Sequence, residues 1–218
     1  MNTKLRVPTL WLVTFIIIIG FVVACSIQQD EKNYYQFTKK DELVRPVDYR
    51  TWVFAGTGTS PLSLDSNVVF PDFQNIYIDP PSYAFWKENG YYREGTIFVK
   101  ELIRKGETVS PIGKGFWQGE AYSLSATVKD STRFSYAPGG WEYFKFTDYD
   151  KGVLTASSPA LGGNCINCHS RTEAGYGPFT DLYMPLRDAK KFGKGAPENE
   201  QTRKGLAARM PALLQERE

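Results

Sequence analysis

The chain has 218 residues, with 26 basic and 24 acidic side chains, one histidine and three cysteines. A net charge of +2 lacks the basic surplus that a nucleic-acid-binding surface requires, so no nucleic-acid partner is expected. Aromatic residues make up 15% of the chain, enough for a well-filled core, and the length suits one domain of ordinary size with tails.

The N-terminus opens with Lys4 and Arg6 and continues in a 15-residue apolar run from Leu10 to Ala24, short of the ~20 residues of a spanning helix. The run ends in Val22-Val23-Ala24-Cys25-Ser26, which resembles a bacterial lipoprotein signal cleaved before Cys25, with an uncleaved membrane anchor as the alternative. Residues 1–24 are therefore expected to be a signal peptide and Cys25 the lipidated residue. The body would then lie in the periplasm, anchored by lipid to the membrane, and Ser26 favours the outer one. Loss of residues 1–24 removes Lys4 and Arg6 and leaves equal numbers of basic and acidic side chains.

Residues 25–47 begin polar and aperiodic and are expected to form a tether. The body starts near Asp48, and Gly56-Thr57-Gly58-Thr59-Ser60-Pro61 is expected to break its first segment into a loop. That Gly-x-Gly lacks the third glycine and following helix of a dinucleotide site. Gln74-Asn75-Ile76-Tyr77-Ile78 alternates like a strand. Asp79-Pro80-Pro81-Ser82 then signals a helix start, with Asn89-Gly90 as its stop. Thr96–Leu102, Tyr122–Val128 and Trp141–Phe146 read as further strands, the last introduced by Pro138-Gly139-Gly140. Four or five strands against short helices predict a mainly β (α+β) domain with an antiparallel sheet over residues 48–192. Residues 193–218 form a charged tail in which Leu206, Met210, Leu213 and Leu214 recur at helical spacing.

Late in the chain stands Cys165-Ile166-Asn167-Cys168-His169, which contains the only histidine. Cys-x-x-Cys-His is the attachment pattern of a c-type haem: two thiols on one helical turn reach the haem vinyl groups and the adjacent imidazole ligates the iron. A structural zinc site wants four Cys or His ligands. Leu161-Gly162-Gly163-Asn164 reads as a loop, unlike the βαβ context of a thioredoxin-type pair. With Cys25 assigned to lipid, no thiol remains for a disulfide. A second histidine ligand within the chain is excluded. An electron carrier of the His/Met kind would have to use Met184 or Met210, so a vacant coordination position is expected, which favours small-molecule chemistry or gas binding.

In Thr96–Leu102, period-2 alternation groups Phe98, Lys100 and Leu102 on one face and Ile97, Val99 and Glu101 on the other. Each face carries one charge, so alternation cannot say which points inward. A surface lysine would lay its stem on apolar surface, whereas a buried one would have a lowered pKa and a nucleophilic amine.

Tyr49-Arg50-x-Trp52, Ile76-Tyr77-Ile78-Asp79-Pro80, Ser82-Tyr83-Ala84-x-Trp86-Lys87, Gly95–Leu102 and Ala126–Ser131, followed by the Cys165–His169 site, together resemble the cytochrome P-460 family from about Tyr49 to Lys191. The resemblance implies a periplasmic mono-haem protein, mainly β and usually a homodimer. Its haem c would be bound through Cys165, Cys168 and His169, with a lysine nitrogen bonded to the porphyrin rim. Lys100 falls at that position, so the resemblance turns Lys100 toward the haem with Phe98 and Leu102 beside it. It also implies oxidation of hydroxylamine or reaction with nitric oxide, with electrons passing to a periplasmic acceptor such as a soluble cytochrome c. Ser125 stands where hydroxylamine-oxidising members carry a carboxylate, and Gln74 where a member carries arginine. A serine can donate or accept a hydrogen bond but does not take up a proton as a carboxylate does. Two alternatives stay open: a non-catalytic gas binder similar to cytochrome c-prime-beta, and an electron carrier ligated by Met184.

Overall fold

The structure, a computed structural model, describes residues 33–148, 150–160, 164–172 and 177–192. The expected signal peptide, Cys25 and the tail from residue 193, with its leucine stripe and Met210, lie outside the described residues. The described residues from Tyr34 to Phe192 form one compact unit.

Its centre is a five-stranded antiparallel sheet in the order β2-β3-β4-β5-β6, made of Val53–Gly58, Phe73–Ile78, Ile97–Ser110, Gly113–Lys129 and Trp141–Lys145. The expected β-rich α+β architecture is what the structure shows. Between β3 and β4 runs helix α1, Pro80–Asn89. Its start follows the sequence signals: the Asp79 side chain accepts from Ser82 N–H at 2.9 Å, and proline occupies the first turn. Gly90 ends it in the left-handed region at φ 72°.

Strands β4 and β5 are much longer than the alternating segments Thr96–Leu102 and Tyr122–Val128. They run 14 and 17 residues and stay paired out to Ser110↔Gly113. Gly106, Gly113, Gly115 and Gly119 interrupt the apolar alternation along this arm; cross-strand pairing carries the ladder through the first three, and Gly119 falls at a register shift.

Of the loop expected over Gly56–Pro61, Thr59-Ser60-Pro61 lies outside the strands, whereas Gly56-Thr57-Gly58 belongs to β2. The register with β3 shifts between Phe54 and Gly56, a bulge that Gly56 accommodates with φ +137°. A Cβ there would lie 3.3 Å from the Tyr183 ring.

Of the tether expected over residues 25–47, residues 25–32 lie outside the described residues, and the part from Tyr34 on is bound to the body instead. Leu43 is fully buried, and β1 (Leu43–Val44) pairs with β9 (Ala156–Ser157). Phe37 packs edge-on against Phe134, with ring centroids 5.9 Å apart. Apolar side chains hidden among the polar residues of this stretch bind it to the body. Two further short strands, β7 (Thr147–Asp148) and β8 (Gly152–Val153), form a hairpin before β9.

The sheet is covered on both faces. On one, Tyr77, Val99, Leu124, Ala126 and Phe144 pack with Tyr49, Trp52 and Leu43. On the other, Ile76, Ile78, Phe98 and Trp141 pack with Trp86 and Tyr92, and with helix α3 (Met184–Phe192) through Leu186 and Ala189. Trp86 Nε1–H donates to the Leu186 carbonyl at 2.9 Å, tying α1 to α3.

Candidate haem site

Cross-strand register places the site residues on the α3-bearing face of the sheet. Ile76, Lys100, Ser125 and Lys145 lie opposite one another on β3, β4, β5 and β6, and directly paired residues share a face. The neighbouring row is Ile78, Phe98, Thr127 and Tyr143. Glu101 falls on the opposite face, beside Asn75 and Leu124. The ambiguity left by alternation along β4 is thereby resolved: Lys100 faces with Ser125 and Phe98.

The Cys165–His169 segment is delivered to this face by the edge of the sheet. Pro159 bridges Phe144, and Ala160 N–H donates to the Tyr143 carbonyl at 2.8 Å. Helix α2, Asn164–His169, then carries both thiols, three residues apart, on one side of a short helix. Cys165 and Cys168 are free and exposed. Thr172 closes the helix with its N–H and hydroxyl on the His169 carbonyl at 3.2 and 3.0 Å.

His169 is held from three directions. Its ring lies between Tyr143 and Phe179, with centroids 4.6 and 4.7 Å away. Its Nδ1 is 2.7 Å from the Gly177 carbonyl. A carbonyl only accepts, so Nδ1 carries the proton and Nε2 the lone pair. A hydrogen bond from the other ring nitrogen to a carbonyl orients metal-ligating imidazoles in this way. Burial lowers the His169 pKa, with the Gly177 bond opposing and the Lys100 ammonium reinforcing the shift. The ring is therefore neutral at neutral pH, the state an axial ligand requires.

Lys100 is partly buried, and burial lowers the pKa of its amine against the opposing influence of the Cys165 and Cys168 thiols. Its Nζ sits 3.8 Å from the Phe70 ring centroid. Phe70 is presented by the β2–β3 connection, where Gln74 Nε2–H donates to its carbonyl at 3.3 Å. Gln74 thus holds the loop that covers Lys100. Phe98 shares the Lys100 face, yet its ring is taken up by Tyr92 and Trp141, with centroids 5.3 and 6.3 Å away. Phe70, rather than Phe98, is the aromatic wall against the Lys100 amine.

Ser125 lies directly across from Lys100, flanked on β5 by Ser123 and Thr127. The Lys100 row and its neighbouring row, among the described strand residues, contain no carboxylate. Met184 stands apart: it is 61% exposed at the start of α3, the helix that buries Leu186 against α1. That position gives no support to a Met184-ligated electron carrier.

The donor set fits a covalently held haem: two accessible thiols at helical spacing, a neutral imidazole with its Nε2 lone pair available, and a deprotonatable amine on the facing sheet. Tyr143, Phe179, Gly177 and Phe70 complete the site, and periodicity within their own segments did not single them out. No curated protein matches the chain. The family model Cytochrome P460 matches residues 46–181, a span that takes in Tyr49, Lys100, Ser125 and the whole Cys165–His169 segment. Family membership implies haem c as the cofactor. On that match, which covers most of the chain, this protein is a member of the cytochrome P460 family.

Proposed function

We propose that this protein is a mono-haem c-type cytochrome that oxidises hydroxylamine or reacts with nitric oxide. Cys165 and Cys168 hold the haem, His169 is its protein ligand and Lys100 bonds to the porphyrin rim. In the same reading it is a periplasmic homodimer, held at the membrane through lipid on Cys25 and passing electrons to a soluble cytochrome c. The observation that carries the reading is the meeting of an oriented, neutral His169 and the partly desolvated Lys100 on one face of the sheet.

When bound, the haem supplies the iron to which a small nitrogenous molecule coordinates and the macrocycle through which electrons leave. The chain supplies the rest. Gly177, Tyr143 and Phe179 fix the imidazole plane. Phe70 shields the Lys100 amine from water, and Ser125 offers a hydroxyl beside it. Hydroxylamine consumption by the ferric holoprotein with an added electron acceptor tests the activity. A rate no greater than that of His169→Ala removes it. The Lys100 bond predicts a strongly red-shifted Soret band in the ferrous protein, lost in Lys100→Leu.

One observation favours a second reading. Among the described residues paired on the site face, Ser123, Ser125 and Thr127 are present but no carboxylate to accept a proton from a bound substrate. A nitric-oxide-binding protein without turnover fits that lining. Tight nitric oxide binding with no hydroxylamine consumption, restored by Ser125→Glu, would identify it.

A further inference from the structure

Glu101 is the second charge of the Lys100 strand, and the site does not use it. It is 1% exposed on the face away from Lys100. Tyr49 O–H donates to its Oε1 at 2.7 Å and Arg50 Nε–H at 3.1 Å, with a second contact from Arg50 Nη2. Burial and the Glu101 carboxylate both push the Tyr49 hydroxyl upward, so it stays a donor. A buried carboxylate is costly unless it is paired and hydrogen-bonded, and removing one partner is strongly destabilising. Glu101 therefore holds this end of β4 against the turn that carries Tyr49 and Arg50.

The location gives that contact a directional consequence. Immediately beyond Glu101 the β4–β5 register becomes irregular, shifting between Leu102 and Ile103 and again before Lys105. A slip of one residue turns every side chain of a strand to the other face. Such a slip would set the Lys100 ammonium against the Arg50 guanidinium and point Glu101 at the Cys165–His169 side. Glu101's own cross-strand neighbour, Asn75, is locked to Gln118 by a reciprocal amide pair at 3.2 and 3.1 Å.

We propose that Tyr49 and Arg50, acting through Glu101, are positioning residues that hold β4 in the register aiming Lys100 at the haem site. The inference rests on the assignment of the Lys100 face as the haem face.

The test uses the holoprotein and reads, by peptide mass spectrometry, the fraction of the Lys100 peptide left unattached to the haem peptide that carries Cys165 and Cys168. Arg50→Gln removes the charge that Glu101 faces, and far-UV circular dichroism checks that the sheet is kept; Arg50→Lys, which retains a cation there, is the milder variant. The expected result is a rise of about tenfold in the unattached fraction in Arg50→Gln, the factor set by losing one charged hydrogen bond. Glu101→Ala should show the same rise and Arg50→Lys a smaller one. An unattached fraction that stays at the wild-type level in both Arg50→Gln and Glu101→Ala overturns the positioning role. A Lys100 peptide wholly unattached in the wild type overturns the assignment of the Lys100 face as the haem face, and that outcome is distinguished without any variant.

Discussion

Asp79 joins the helix start to the strand that bears Lys100, and its removal offers a quantitative check on the fold. The carboxylate is fully buried. Oδ1 accepts from Ser82 N–H at 2.9 Å, capping α1, and Oδ2 accepts from Ile97 N–H at 3.0 Å, at the first residue of β4. Replacing Asp79 with alanine loses a helix cap, about 1 kcal/mol. It also leaves the buried Ile97 N–H unsatisfied, about 1–3 kcal/mol. Asp79→Ala should therefore lower stability by about 2–4 kcal/mol. Asp79→Asn keeps an oxygen for Ser82 but turns its NH2 against Ile97 N–H, so about 1–3 kcal/mol of the loss should remain. Urea denaturation of the holoproteins, followed by far-UV circular dichroism, reads both values at equal slope. Burial holds the Asp79 carboxyl above its ordinary value of 3.8, against the lowering influence of its Ile97 and Ser82 bonds and of Arg93. An acid whose folded pKa is raised loses stability as pH rises from the ordinary value through the folded one. The deficit of Asp79→Asn should accordingly be largest in acid and shrink toward neutral pH. A loss below about 1 kcal/mol in Asp79→Ala would show that Ser82 and Ile97 find other acceptors, refuting the joint role.

Three further changes test other parts of the structure. Glu94 accepts from Ser131 N–H and Oγ–H at 2.7 and 2.9 Å and pairs with Lys129. Burial opposes these bonds, but they prevail and hold its carboxyl below the ordinary 4.5. Its contribution, about 0.5–1 kcal/mol for so exposed a pair, is present at neutral pH and lost as pH falls through the folded pKa. The gap to Glu94→Gln in thermal melts should close on acidification. Gly56→Ala should cost about 1–3 kcal/mol, because a side chain at φ +137° is strained and the added methyl crowds the Tyr183 ring; an unchanged melting temperature would contradict that. Leu186→Ala empties a fully buried site between α3 and α1 and should cost about 2–5 kcal/mol in urea denaturation. A near-neutral result would mean that α3 is not anchored there.

Much of the scaffold was legible because local rules wrote it. Asp79-Pro80-Pro81-Ser82 and Asn89-Gly90 bound a helix through capping and left-handed geometry, which depend on neighbours in the chain. The alternating cores of β3, β4, β5 and β6 read correctly for the same reason. The β4–β5 arm did not, because its glycines erase the period while hydrogen bonding to the partner strand keeps it extended. Residues 34–44 misled in the opposite way, as their polar composition concealed Phe37 and Leu43, which a distant part of the chain buries.

The sequence by itself determined the chemistry at hand: two thiols and an imidazole at attachment spacing, and a strand with one charge on each face. Alternation could not orient that strand, since a β-strand covered on both sides offers no polar face to mark solvent; only the family resemblance turned Lys100 toward the haem. Tertiary structure decided the orientation by placing Arg50 and Tyr49 behind the sheet to take Glu101. It also brought Gly177, Tyr143 and Phe179 around His169, and Phe70 over Lys100. Those contacts join residues far apart in the chain, and only the folded register can bring them together.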